Sequence, residues 1–272
     1  MNNKRWACYF ATILSLACIG APAEAGWTQP EGEGYLKLWG HFLTGSKAFD
    51  ASGAIIDVES YAIGSANIYG ELGITDAWTA VAQLRPYGRA SYGGRSTNFV
   101  GPLELGIRRA LLTDALRLAV EARYGFAPPI GDGNLAGADE AVRFQPTVST
   151  QMGSAELQMG YGFSPAWVRT SAGARWYSSD QIDLAIFGGF QVGVSLPHGF
   201  VADVHFLLNR PIGEVTVTNV AGAGQSSYLG IGAAVSWWFL PRWGVTLGAD
   251  SAAFARSNAG ALVVGLGIEH RI

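Results

Sequence analysis

Histidine and carboxylate side chains within reach of one another are the first place to look for chemistry, and the chain has only four histidines: His41, His198, His205 and His270. Asp203 stands two residues before His205, a spacing that puts both on one face of a strand, as a base and its orienting carboxylate require. No serine stands in a recognisable nucleophile motif, so a hydrolase reading rests on that pair alone. Asp132, Asn134, Asp139 and Glu140 lie among glycines in one segment. Such oxygen ligands could hold calcium, but their spacing matches no EF-hand loop. A solvated loop, or one that folds inward as a constriction, is the simpler reading, and no cofactor or metal is expected. The largest polar set is different in kind: Lys37, His41, Arg85, Arg108, Arg117, Arg123, Arg169, Arg175 and His205 beside Glu71, Glu104, Glu121, Asp183 and Asp203. These residues are suited to attracting and sorting charged solutes, provided one surface collects them.

The elements that would collect them follow from composition and period. In 272 residues, 14% are charged, 49% are hydrophobic and 37 are glycine; an average soluble domain carries about a quarter charged residues and roughly 7% Gly. The 12% aromatic content argues against disorder, and the glycines follow no three-residue collagen period. A net charge of −3 from 18 basic and 21 acidic residues gives no footprint for nucleic acid. Segments without Asp, Glu, Lys or Arg, such as 184–202 and 215–241, are long enough for membrane helices. Their internal Gly, Asn, Gln and Pro argue against helices, and the period decides. From Arg117 to Phe126, the residues Leu118, Val120, Ala122, Tyr124 and Phe126 alternate with Arg117, Ala119, Glu121, Arg123 and Gly125. One face is apolar and the other charged, which is a strand.

Strands of this kind are predicted at about 34–44, 58–72, 77–87, 98–111, 115–127, 154–163, 165–178, 180–193, 199–210, 226–239, 243–255 and 260–272. The count is twelve, with short turns on one side and, for the most part, longer loops on the other. Segments 142–152 and 214–220 also have strand character and would raise it to fourteen. Aromatics cluster beside the short turns (Trp78, Phe163, Trp167, Trp237, Trp238, Trp243) and toward the loops (Phe42, Tyr87, Phe99, Tyr124, Trp176, Tyr228, Phe254), as two interfacial girdles. The fold expected is therefore all-β: a closed antiparallel transmembrane β-barrel, the β structure that leaves no unpaired edge in lipid. Lys4 and Arg5, an apolar run over 11–19 and Ala23-Glu24-Ala25 read as a secretory signal peptide over 1–25, leaving 26–272 as one barrel domain. Both cysteines, Cys8 and Cys18, fall in that leader, so the barrel is expected to hold no disulfide or thiolate site.

The sequence also resembles a family. Gly34-Tyr35-Leu36-Lys37-Leu38, then Ile68-Tyr69-Gly70-Glu71-Leu72-Gly73-Ile74-Thr75-Asp76, then Leu103-Glu104-Leu105-Gly106-Ile107-Arg108 resemble the small bacterial outer-membrane barrels grouped as XagA-like or phenol-degradation-type transporters. The likeness covers the first third of the chain well and the rest only by strand spacing, and it implies a solute channel. Such chains usually finish on an aromatic residue, whereas this one has Ile272, apolar and on the outward face.

Strand parity collects the polar set named at the outset on the inner wall. The reading is a porin-like channel in the bacterial outer membrane of a Gram-negative cell, passing small solutes passively through a narrow charged lumen. Neighbouring strands bring Arg108, Arg117 and Arg123 together, and Arg169 and Arg175 extend a basic ladder that would favour anions. Glu104 and Glu121 could equally neutralise two of those arginines and make the ladder scaffolding. The alternatives are a structural or surface-binding barrel tied to adhesion or export and, more remotely, a lipid hydrolase built on His205. The expected partners are outer-membrane lipids and lipopolysaccharide, the small solute and the barrel-insertion machinery; the sequence leaves the oligomeric state open.

Overall fold

The computed structural model describes residues 28–136 and 142–272. Residues 1–25, expected to be a leader and holding both cysteines, and the loop residues Asp139 and Glu140 lie outside them. Twelve strands make the wall: β1 Gly34–Phe49, β2 Ile55–Thr75, β3 Trp78–Tyr92, β4 Leu103–Thr113, β5 Leu116–Ala127, β6 Thr150–Phe163, β7 Ala166–Tyr177, β8 Ala185–Ser195, β9 Phe200–Pro211, β10 Ser227–Leu240, β11 Trp243–Arg256 and β12 Val263–Arg271. Each pairs antiparallel with its sequence neighbour, and β12 returns to β1 through pairs from Tyr35–Arg271 to Leu43–Val263. The sheet is thus a closed barrel without an edge, the form in which every wall amide finds a ladder partner away from water.

The predicted strands match in number and place, but several continue past the expected loop-end boundaries. β1 runs to Phe49, and β3 continues to Tyr92 before a Gly93-Gly94 turn leads into the short strand Arg95–Phe99 that pairs back on it. Both glycines have positive φ, +54° and +81°, the conformation that a two-residue hairpin turn of this hand needs. Segments 142–152 and 214–220 add no spanning strand. Residues 150–152 begin β6, and the rest contributes only Val142–Arg143 and Thr218–Asn219, paired parallel to each other at the loop end, so the fourteen-strand alternative is set aside.

Alternation decides which side faces what. Leu105, Ile107, Leu157, Leu247 and Leu266 are exposed on the outer surface, whereas Glu71, Glu104, Arg108, Glu121 and Gln158 are buried inside. A soluble protein with that distribution would present a continuous apolar exterior to water; a barrel presents it to lipid. Trp78, Phe163, Trp237, Phe239 and Trp243 stand exposed near the turn end, and Phe42, Tyr87, Tyr124, Trp176 and Phe254 toward the loop end. Four of the aromatics assigned to the girdles instead point inward. Trp167 is buried against Gly193, Phe99 packs over Gly88, Trp238 stacks under Arg271, and Tyr228 enters the lumen. Each shares the parity of the inner row.

The lipid-facing assignment has a measurable cost attached. Leu157 lies midway along β6 and is outward and exposed. Leu157→Arg is expected to destabilise the barrel by about 2–4 kcal/mol, the penalty for a cation near the bilayer midplane, in urea titrations in phospholipid vesicles. A loss below about 1 kcal/mol, as for an ordinary surface substitution, would contradict that orientation.

Candidate functional site

The barrel interior is the candidate site, and its two halves differ. On β2–β6 it is filled by a hydrogen-bonded ionic cluster centred on Arg108, which is fully buried. Register places Arg108 opposite Thr79 on β3 and Glu121 on β5. Its Nε donates to Glu121 Oε2 at 2.7 Å, its NH1 to Glu71 Oε1 at 2.8 Å and its NH2 to the Tyr69 hydroxyl at 2.9 Å. Tyr69 donates in turn to Glu71, and Arg123 bridges Glu121 and Gln83. Gln158 Nε2 donates to Glu121 and Glu156, each at 3.2 Å. A guanidinium has five fixed donors, which suits it to tie together carboxylates from different strands.

The segment before β1 folds into the turn end against this cluster. Gln29 donates from its backbone N–H to Thr79 Oγ1 at 2.9 Å and from Nε2 to Glu71 Oε2 at 2.7 Å. Gly73 admits it, because a Cβ there would lie 1.9 Å from the Pro30 carbonyl oxygen. Beside it a cavity of about 430 Å³ opens at the turn end, bordered by Gln29, Asp76, Arg117, Gln158 and Arg169.

On β8–β12 the inner face carries a run of small residues among larger ones such as Phe187, Leu207 and Trp238. Gly189, Gly230, Gly232, Ala234, Gly248, Gly265 and Gly267 share the inward parity of Asp203, His205 and Asp250. Side chains built at Gly230 or Gly248 would meet their nearest atoms at 3.8 Å and 3.4 Å, ordinary contact distances, so both positions accommodate a Cβ. Gly232 has another reason to be glycine: its Cβ would fall 2.2 Å from Asp250 Oδ1 and 2.3 Å from His205 Nε2. His205 sits between two carboxylates, with Nδ1 2.9 Å from Asp203 Oδ1 and Nε2 2.6 Å from Asp250 Oδ1. Lys37 pairs with Glu269 at 3.1 Å, and His41 accepts from the Trp39 indole at 2.8 Å.

The loop end carries a cap. Phe144 from the loop after β5 is fully buried, stacked on Tyr92 with ring centroids 4.9 Å apart and close to Tyr61 at 6.0 Å. Val220 joins them above Ala48 and Ala90, so the cap closes over the β1–β3 part of the mouth. Asn219 fixes the two inward-folded loops to each other: its Oδ1 accepts from Gln145 N–H at 3.0 Å and its Nδ2 donates to the Gln145 carbonyl at 2.9 Å.

Lys37, His41, Glu71, Arg85, Glu104, Arg108, Arg117, Glu121, Arg123, Arg169, Arg175, Asp203 and His205 occupy inward positions of the wall by strand register. Asp183 does not. β8 begins at Ala185, and Asp183 lies in the preceding loop, bonded through N–H and Oδ2 to the Gln225 side chain at 2.9 Å and 2.6 Å. The basic ladder is largely compensated: Glu71 and Glu121 hold Arg108, Glu121 holds Arg123, and Glu104 lies 3.5 Å from Arg175. His198 is in the exposed turn 197–199, and His270 packs on Trp243 outside the lumen. Sequence reasoning missed Tyr69 and Trp39, although their parity with Glu71 and Lys37 marks them. It also missed Gln29 and Phe144, which lie outside any periodic segment.

No protein-family model matches the chain, and no curated protein matches it. Solved structures do resemble it. An outer membrane channel from Pseudomonas putida F1 superposes with a TM-score of 0.70 at 14% identity, over 93% of this chain and all of that one. The NanC porin gives 0.57 at 9% identity over 86% and 98%, and the translocator domain of the autotransporter NalP from Neisseria meningitidis gives 0.51 at 11% over 98% and 95%. At these identities what is shared is the fold, that of bacterial outer-membrane barrels.

Proposed function

We propose that this protein is a narrow passive channel for small polar solutes in the bacterial outer membrane, with its path running along the β8–β12 wall rather than down the barrel axis. The observation that carries the reading is the division of the interior. Ion pairs fill the β2–β6 half, while the opposite inner face sets glycines and alanines among fewer large side chains, with titratable groups spaced between them. Barrels of about eight strands can be filled by their own side chains, and a twelve-strand ring is wider. Similar folds belong to a channel and to porins, in keeping with this use. The apolar belt would contact outer-membrane lipid and lipopolysaccharide, and insertion would depend on the cell's barrel-insertion machinery.

Two other readings are less well supported. A surface-binding barrel would project its loops, yet the loops carrying Phe144 and Val220 fold into the mouth. A hydrolase would need a free imidazole nitrogen to take a proton from a nucleophile, and both nitrogens of His205 face carboxylates.

Single-channel recording in planar bilayers tests the path. Gly230→Leu and Gly248→Leu place a side chain where the wall leaves room, and each is expected to lower conductance severalfold while heat-modifiable gel mobility shows a folded barrel. Conductance unchanged in both variants would remove the wall path, and absence of current in the native protein would remove the channel.

A further inference from the structure

Several interior charges cancel at contact distance, and two groups with a net charge stand across a diameter from each other. Arg85, on β3, donates from Nε to Asn67 Oδ1 at 3.1 Å; the carboxylate within its electrostatic reach, Glu104, pairs with Arg175, and among the described residues no carboxylate oxygen lies within 4.0 Å of the Arg85 guanidinium. Asp203 and His205 are on β9, six strands from β3 in a ring of twelve and so on the opposite wall. Asp250, on β11, completes their group. Each of the two His205 contacts needs an N–H, so the ring carries both protons and the Asp203–His205–Asp250 group has one net negative charge. Between the poles stand His41, within electrostatic reach of both Arg85 and Asp250, and Tyr228, within reach of Arg85, Arg175 and Asp250. Glu156 and Arg169, also without an ion-pair partner within 4.0 Å among the described residues, are of opposite sign.

A fixed positive charge facing a fixed negative one across a narrow, low-dielectric bore makes a transverse field that water screens poorly. A simple ion crossing it is drawn to one wall and repelled by the other. A molecule carrying both charges can turn so that its carboxylate meets the guanidinium, a planar fork that matches it, while its ammonium meets the two aspartates. Both ends then exchange hydration for charged partners, which offsets the cost of entering the constriction.

We propose that Arg85 and the Asp203–His205–Asp250 group form a dipolar eyelet that favours small zwitterions bearing a carboxylate and an ammonium, of amino-acid type. This deepens the channel reading and rests on it. It also replaces the basic ladder as the source of selectivity.

Liposome swelling with glycine, with a neutral amide of similar size and with acetate, together with reversal potentials in a KCl gradient, tests it. The native protein should admit glycine severalfold faster than the neutral amide and show a reversal potential near zero. Arg85→Gln should shift the potential toward cation selectivity, and Asp203→Asn with Asp250→Asn toward anion selectivity, both abolishing the glycine preference. Arg85→Lys keeps the charge and should keep the sign of selectivity. Equal entry of glycine and the neutral amide into native-protein liposomes, a comparison that needs no variant to fold, overturns the eyelet. So do shifts of the same sign, or none, in folded variants. If the native protein shows neither current nor swelling, the channel reading itself fails, an outcome distinct from those.

Discussion

Arg108→Leu is expected to destabilise the folded barrel by about 3–5 kcal/mol, the cost of removing one partner from a buried ion pair. The reason is what remains behind. Arg108 is fully buried and donates to both Glu71 and Glu121, which are themselves buried. Without it, Glu121 keeps Arg123 and Gln158, but Glu71 is left with Tyr69 and Gln29, neither of them charged. Adding Glu71→Gln should recover a substantial part of the loss, because a neutral amide in that place needs no counter-charge. The measurement is urea unfolding followed by tryptophan fluorescence in phospholipid vesicles. A loss under about 1 kcal/mol, as for an exposed ion pair, would show that the cluster is solvated instead of packed. A double variant no more stable than Arg108→Leu alone would show that the stranded carboxylate is not the cause.

Phe144→Ala should act at the other end of the barrel, on the conducting state more than on the wall. Truncating a fully buried phenylalanine costs about 3–5 kcal/mol, and here that loss falls on the docking of a loop instead of on a strand. The ring is held by Tyr92 and Tyr61, and the segment is otherwise fixed by the two-residue pairing with Thr218–Asn219, by the Asn219 side chain and by the bonds of the Phe144 backbone to Asn134 and Leu135. The segment carrying Val220 runs from β9 and β10 to this cluster, across the mouth above the proposed path, so its release should raise conductance severalfold, and trypsin should gain access to the bond after Arg143. Phe144→Leu, which keeps most of the apolar volume, should lie between. Unchanged conductance together with unchanged trypsin resistance would show that the ring does not hold the cap.

Much of this architecture is legible in the chain because a transmembrane strand writes itself at period two. Leu118 to Phe126 could face lipid only if Arg117, Glu121 and Arg123 faced inward, and β5 does so. Places where strands continue beyond the membrane, such as the stretch to Phe49 and the hairpin closed by Gly93 and Gly94, lose the apolar alternation and with it the signal. The cap is invisible for the same reason: Phe144 and Val220 are single apolar residues in irregular loops, buried by tertiary folding alone. Asp183 continued the alternation of β8 by one step too many, because Gln225, distant in sequence, holds it in a loop. Charge cancellation was legible only where the partners are adjacent. Glu121 stands directly across from Arg108, but Glu71 reaches it from two strands away, past Thr79, which depends on side-chain reach that parity does not encode.

The uneven filling of the interior has a mechanical consequence. On β2–β6 the strands are joined twice, by the backbone ladder and by side chains such as Arg108 that tie β2, β4 and β5 together within the bore. On β8–β12 the side-chain ties are fewer and more scattered, chiefly His205 to Asp250 and Glu269 to Lys37 and Ser236, so packing that would resist bending is thinner. The barrel is thus a stiff arc joined to a compliant one. Lateral strain from the surrounding membrane would fall first on the more compliant arc, the same stretch of wall along which solute is proposed to pass.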